Sequence, residues 1–167
     1  MTIRPIDPNN DGEIELVASR MRDTLVEVLG EERGGSMYTM DWLVQRAKFH
    51  LDPASCTGQI FLSQGEDGHI TGHAIVRIET DATGNKYGLF STTYVEPASR
   101  RRGIAEALTA DGEQWMIRHG MTEAATFTDE FNTGLQALYK GLGYSMEDAG
   151  NAFVRLSKDL AKVATQP

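Results

Sequence analysis

Three consecutive arginines, Arg100, Arg101 and Arg102, run straight into Gly103, Ile104 and Ala105, just behind a Val95-Glu96-Pro97 segment. A strand that ends at Val95, a Pro turn and a Gly-containing helix start together make an anion cradle. The first main-chain N–H groups of a helix have no intrahelical partner, and the helix dipole adds partial positive charge there. Gly103 lets a ligand approach the backbone closely, while the guanidinium groups add full charge and forked donors. Phosphate is the ligand such a helix start suits best. Residues 98–105 carry three basic side chains and no acid, in a chain whose net charge is −8.

That acidic total argues against a nucleic-acid surface and favours a cationic partner such as an amine. At 167 residues, with 40% hydrophobic and 24% charged side chains, the sequence fits one domain over residues 1–167 with a single real core. Cys56 is the only cysteine, which excludes an intrachain disulfide and a Cys-rich metal site. A small buried hydrophobe is its expected role. His50, His69, His73 and His119 show no metal-ligand spacing, so no metal is implied. The N-terminus has no apolar leader segment, and no run approaches the length of a membrane span. A cytoplasmic protein with no membrane partner is the expectation.

The elements that must position the arginine turn follow from periodicity and punctuation. A strand at residues 2–7 precedes a helix from Ile14 to a stop at Gly30; residues 31–36, with their Gly pair, read as a loop, and 41–51 as a second helix. Strands are expected at 59–63, 70–79 and 87–95, the last two joined by the turn chemistry of Asp81-Ala82-Thr83-Gly84-Asn85. A helix over 102–119, a strand at 124–128, a helix over 132–142 and short strands at 144–146 and 152–156 complete the order, with 158–167 a frayed tail. The fold class is α/β of the α+β type: a mixed, mostly antiparallel sheet of six to seven strands flanked by about four helices. Antiparallel strands come first, then a β-α-β crossover through the arginine-headed helix.

A nucleotide P-loop needs Gly-x-x-x-x-Gly-Lys-Ser/Thr, and a dinucleotide turn needs Gly-x-Gly-x-x-Gly; neither pattern is present. By itself the turn is equally compatible with solvated surface charge. The pattern Val-x-Pro-x-x-Arg-x-x-Gly-x-Ala at 95–105, however, resembles motif A of the GNAT superfamily of acetyl-CoA-dependent N-acetyltransferases. Residues 132–144 (Asn132, Leu138, Tyr139, Gly143 and Tyr144) resemble motif B of the same family at the family spacing. Leu135 stands where that motif carries Ala. The resemblance covers residues 70–144 well and the N-terminal helices only in their order.

The resemblance implies acetyl-CoA as co-substrate. The main-chain amides of Arg101, Arg102, Gly103, Ile104 and Ala105 would hold the pyrophosphate, with Arg100 at the motif's Arg/Gln position. Tyr94 and Val95 would lend backbone groups to the pantetheine arm. Tyr139 falls at the position of the family's general acid, facing a thiolate leaving group whose thiol pKa is near ~8.5. A core aromatic role competes for it. Asn132 would bridge pantetheine and helix start, or cap the helix, or both.

The base is less legible. An amine of pKa near ~10.4 must lose a proton at a cost of roughly 4–5 kcal/mol at pH 7. The strand before the turn has no carboxylate or His, whereas its neighbour offers His73 and Glu79. If Thr80 pairs with Lys86, His73 lies opposite Thr93. Asp129 and Glu130 are placed to attract an ammonium, and a water chain is a further route. Cys56 has no part in direct transfer, so a ternary complex is expected. The resulting function is acetyl transfer to a primary amine of a small molecule. A protein N-terminus or lysine as acceptor, and a non-catalytic acyl-CoA sensor, are the alternatives. The resemblance further implies that a homodimer could form through the last strands.

Overall fold

The computed structural model describes residues 1–164. Its centre is one seven-stranded sheet, made of β1 (Thr2–Pro5), β2 (Gly58–Gln64), β3 (Ile70–Thr80), β4 (Lys86–Val95), β5 (Glu123–Asp129), β6 (Ser145–Gly150) and β7 (Phe153–Asp159). The spatial order is β1-β2-β3-β4-β5-β7-β6. Every neighbouring pair is antiparallel except β4–β5, which is parallel because the chain returns through helix α4 (Ile104–Arg118).

Helices α1 (Asp11–Leu29) and α3 (Met40–Leu51) cover one face, with α4 and α5 (Thr133–Gly141) on the other. Each face has its own core. Ile14, Val17 and Leu43 meet Ile60, Leu62 and Ile75 on the first; Leu108, Met116 and Tyr139 meet Ala74, Val76 and Phe90 on the second. Helices α1, α3 and α5 start on side-chain caps that accept an orphan N–H: Asn10 from Glu13, Thr39 from Trp42 and Asn132 from Leu135.

Several local expectations change. Residues 31–36 form a short helix, α2 (Glu31–Ser36), instead of a loop. Glu31 and Glu32 complement its N-terminal dipole, and Gly34 serves close packing, since a Cβ there would stand 2.2 Å from the Leu25 carbonyl oxygen. The last strands are longer than read. Lys158 and Asp159 belong to β7, Leu160 is fully buried, and α6 (Ala161–Ala164) follows, so this part of the chain is no frayed tail. Residues 165–167 of that expectation lie outside the described residues. Helix α4 begins at Ile104, with Gly103 as its cap.

The most consequential difference is in β4. Thr80 does pair with Lys86, yet His73 faces Tyr94 and not Thr93, because the register shifts between Ile75 and Val76. Ser91 is the extra residue: Phe90 pairs with Val76 and Thr92 with Ile75. A bulge of this kind inserts one residue and bends the strand. It turns Thr93 and Val95 toward α4 and α5, and Thr92 and Tyr94 toward α1.

Candidate active site

Immediately beyond the bulge, β4 and β5 part. Their parallel pairing covers Gly88–Ala124, Leu89–Ala125 and Phe90–Thr126 only. The rest of β4 diverges from β5, and a groove of about 670 Å³ opens there. Thr93, Tyr94 and Val95 form one wall, Asn132, Leu135 and Leu138 the other, and Arg100, Arg101, Gly103, Ile104 and Ala105 the end. The two segments that carry the sequence motifs thus meet on one cleft.

The turn at the groove's end is built from a 3-10 segment (Pro97–Ser99) and two left-handed residues, Arg101 (φ 63°) and Gly103 (φ 77°). Only Gly takes such a φ without cost, so Gly103 has a backbone reason to be there. The first helical bond of α4 runs from the Ala107 N–H to the Gly103 carbonyl (3.0 Å), which leaves the N–H groups of Ile104, Ala105 and Glu106 without intrahelical acceptors. Glu96 braces the turn from below: its carboxylate accepts from Ser99 Oγ (2.7 Å), His69 Nε2 (2.8 Å) and Arg20 Nη2 (3.2 Å). The turn singled out in the sequence thus ends the groove with free helix N–H groups at 104–106.

The three arginines are not equivalent. Arg100 Nε donates to the Val95 carbonyl (2.8 Å), and its two Nη groups donate to both carboxylate oxygens of Glu27 (2.6 and 2.8 Å). Arg100 holds the Glu27 carboxyl below its usual range, and Glu27 holds the guanidinium above its own. Arg101 and Arg102 are exposed. Glu27 was not foreseen in the sequence. It belongs to a stripe of α1 with Arg20, Thr24 and Val28, and that i, i+4, i+7, i+8 spacing is the only signal that could have grouped it.

Tyr139 is fully buried. Its ring stands between Phe90 (5.8 Å) and Tyr144 (4.8 Å, edge-on), and its hydroxyl meets Thr93 Oγ1 at 2.7 Å. Burial pushes its phenol pKa up. Thr93 lines the groove and Tyr139 sits behind it. Tyr144 is buried as well and donates to Glu113 Oε1 (2.8 Å). Asn132 caps α5 through Leu135 N–H (3.3 Å) and also donates to Thr128 Oγ1 (3.0 Å), so the cap role and a place on the groove wall coexist.

The base candidates are not brought together. His73 is fully buried under α1; burial, with Arg20 nearby, lowers its pKa to about 3, and its Nε2 hydrogen-bonds Thr92 Oγ1 (3.1 Å). Glu79 lies at the far end of the hairpin opposite Tyr87 and pairs with Arg77. Asp129 Oδ1 accepts from the Phe131 N–H (2.9 Å), and the Glu130 carbonyl accepts from Gln136 (2.9 Å), so both stabilise the turn into α5. Among the described residues, the carboxylates on the groove are Glu27 and Glu106. Cys56 lies in a separate depression with His50 and His119; its Sγ–H donates to the Phe49 carbonyl, and burial raises its pKa.

Comparison with known proteins agrees with this architecture. The family model described as the acetyltransferase (GNAT) family matches residues 20–144. The chain belongs to that family. A mycothiol acetyltransferase of Segniliparus rotundus is 29% identical over 126 residues, covering 74% of this chain and 45% of that protein. The chain spans less than half the length of the curated relatives it matches. Among solved structures, a ribosomal-protein-alanine N-acetyltransferase of Brucella melitensis superposes with a TM-score of 0.73 at 13% identity, over 96% of this chain and 100% of that one. The PaiA N-acetyltransferase of Thermoplasma acidophilum, solved in complex with coenzyme A, gives 0.69 at 15% identity, over 95% and 99%. No helix among the described residues is long and apolar enough to cross a membrane.

Proposed function

We propose that the chain is an N-acetyltransferase that moves the acetyl group of acetyl-CoA directly to the primary amine of a small molecule. The observation that carries this reading is the parting of β4 from β5 beside a backbone anion cradle. An extended pantetheine arm needs free strand edge, and a pyrophosphate needs convergent N–H donors; the groove offers both, end to end. Acetyl-CoA would supply the acyl group as a thioester. The N–H groups around Gly103–Ala105 hold the pyrophosphate, and Arg101 and Arg102 add charge at the mouth. Tyr94 and Val95 present main-chain groups to the arm and to the acyl carbonyl, and Asn132 fixes the opposite wall.

A small-molecule acceptor is favoured by the relatives named for mycothiol, a low-molecular-weight compound. With Cys56 off the groove and its thiol pKa raised, transfer proceeds in a ternary complex. Calorimetric titration of acetyl-CoA, with Arg100→Ala/Gly103→Asp as control, tests the cofactor assignment. Micromolar binding lost in the control supports it; an absence of binding to the unaltered chain removes it. A screen of free amines against amine-terminated peptides then decides the acceptor class, and turnover confined to peptides would overturn the small-molecule assignment.

A further inference from the structure

We propose that Thr93, and not Tyr139, presents the hydroxyl that meets the reacting sulfur, while Tyr139 is the positioning residue behind it. The inference rests on the acetyltransferase reading above. It starts from a layered arrangement. The Ser91 bulge turns Thr93 onto the α5 side of the sheet, where Thr93 forms part of the groove wall. Tyr139 lies one layer deeper, fully buried, and its hydroxyl reaches toward the groove only as far as Thr93 Oγ1 at 2.7 Å.

The chemistry of the two hydroxyls supports the same order. A buried phenol with a raised pKa is a weak acid, less able than its solvated counterpart to hand a proton to a thiolate of ordinary basicity. It remains a good hydrogen-bond donor. Either oxygen of the Tyr139–Thr93 pair can donate. Negative charge growing on a sulfur beyond Thr93 favours the arrangement in which the phenol donates to Thr93 Oγ1. Thr93 then points its own proton at the sulfur. The interaction strengthens as charge develops, which is what lowers a barrier.

The step balances without a proton transfer from either residue. The amine nitrogen forms the new N–C bond, the C–S bond breaks, and sulfur leaves with the electron pair as a thiolate that accepts the Thr93 hydrogen bond. The proton shed by the amine goes to water, and the thiolate takes its proton from water afterwards.

The test compares Thr93→Val, Thr93→Ser, Tyr139→Phe and the double change Thr93→Val/Tyr139→Phe, measuring kcat, KM and the calorimetric Kd for acetyl-CoA on each folded protein. Thr93→Val is expected to lower kcat by about 100-fold, the scale of one lost oxyanion-type donor, with the Kd within a few fold. Thr93→Ser should recover most of the rate. Tyr139→Phe should cost less than Thr93→Val, and the double change no more than Thr93→Val alone. A near-normal kcat in Thr93→Val beside a large loss in Tyr139→Phe would overturn the proposal and return the role to the phenol. Should Thr93→Val fail to fold, the Thr93→Ser rate and the loss in Tyr139→Phe decide instead: a serine enzyme no faster than the phenylalanine one overturns the assignment. An unaltered chain that neither binds acetyl-CoA nor turns over overturns the acetyltransferase reading itself, a result distinct from any of these.

Discussion

Glu27 and Arg100 close a two-pronged ion pair across the mouth of the groove, with oxygen–nitrogen distances of 2.6 and 2.8 Å, although 73 residues separate them in the chain. The pair ties the first long helix to the turn at the groove's end. It also places a carboxylate on the groove, beside the proposed anion cradle. Arg100 keeps a second anchor, the Val95 carbonyl, which does not depend on Glu27.

Under the proposed function, Glu27→Gln is expected to tighten CoA binding by about two- to fivefold at low salt, since it removes one negative charge lining the groove. High salt should erase most of the gain, because both side chains are partly exposed. The melting temperature should move little, as exposed ion pairs contribute about 0–1 kcal/mol. Calorimetry at two ionic strengths checks this. Weaker binding in Glu27→Gln would mean that the pair positions Arg100 for the ligand.

Stability should fall with acidification well before the carboxylates titrate. His73 and His50 are buried and neutral, with pKa values lowered from 6.5 to about 3 and about 4. Between those values and pH 6.5 the unfolded chain binds protons that the folded chain refuses, so stability rises with pH in that window and is flat above it. Each histidine contributes a slope of up to about 1.4 kcal/mol per pH unit. Urea melts from pH 7 to pH 5 should show the midpoint falling, and His73→Asn should shed part of the slope. A flat profile over that range would refute the burial of charge-free imidazoles.

Gly112 is a point where α4 packs directly against a side chain of the sheet. A Cβ there would stand 2.4 Å from Phe90 Cε1, inside a ring that is itself buried. Gly112→Ala should therefore destabilise by about 1–3 kcal/mol through overpacking, outweighing the ~1 kcal/mol gained in helix propensity. Gly141→Ala in α5, where a Cβ meets nothing within 4 Å, is the matched control and should be neutral or stabilising. Thermal melts of the two variants decide it.

The order of the strands and of the four long helices, and both groove-lining segments, were readable from the sequence, because period-two strands, helix stops at Gly30, Gly120 and Gly143, and the motif spacings are local signals. What could not be read is of another kind. The β4 bulge leaves no mark in residue type at Ser91, yet it moves His73 from Thr93 to Tyr94. The partnership of Glu27 with Arg100 depends on how two distant elements pack. Tyr139 could be picked out as a chemical residue, but its depth behind Thr93 is a property of the core. Glu31–Ser36 was misread because its Gly pair looks like a turn, while Gly34 is there for close contact with Leu25.

Ser91 also implies that this site is written in a count as much as in an alphabet. From Phe90 onward, inside and outside along β4 are assigned by parity, and one additional residue inverts the assignment for the rest of the strand. Replacing Ser91 by another residue leaves that parity alone. Deleting it would exchange the two sides, sending Thr93 under α1 and Tyr94 toward the groove, with every other letter of the strand unchanged. Alignments that slide a gap along β4 to match letters would thus pair residues from opposite sides of the sheet, and the placement of that gap carries more information about this site than any single identity within the strand.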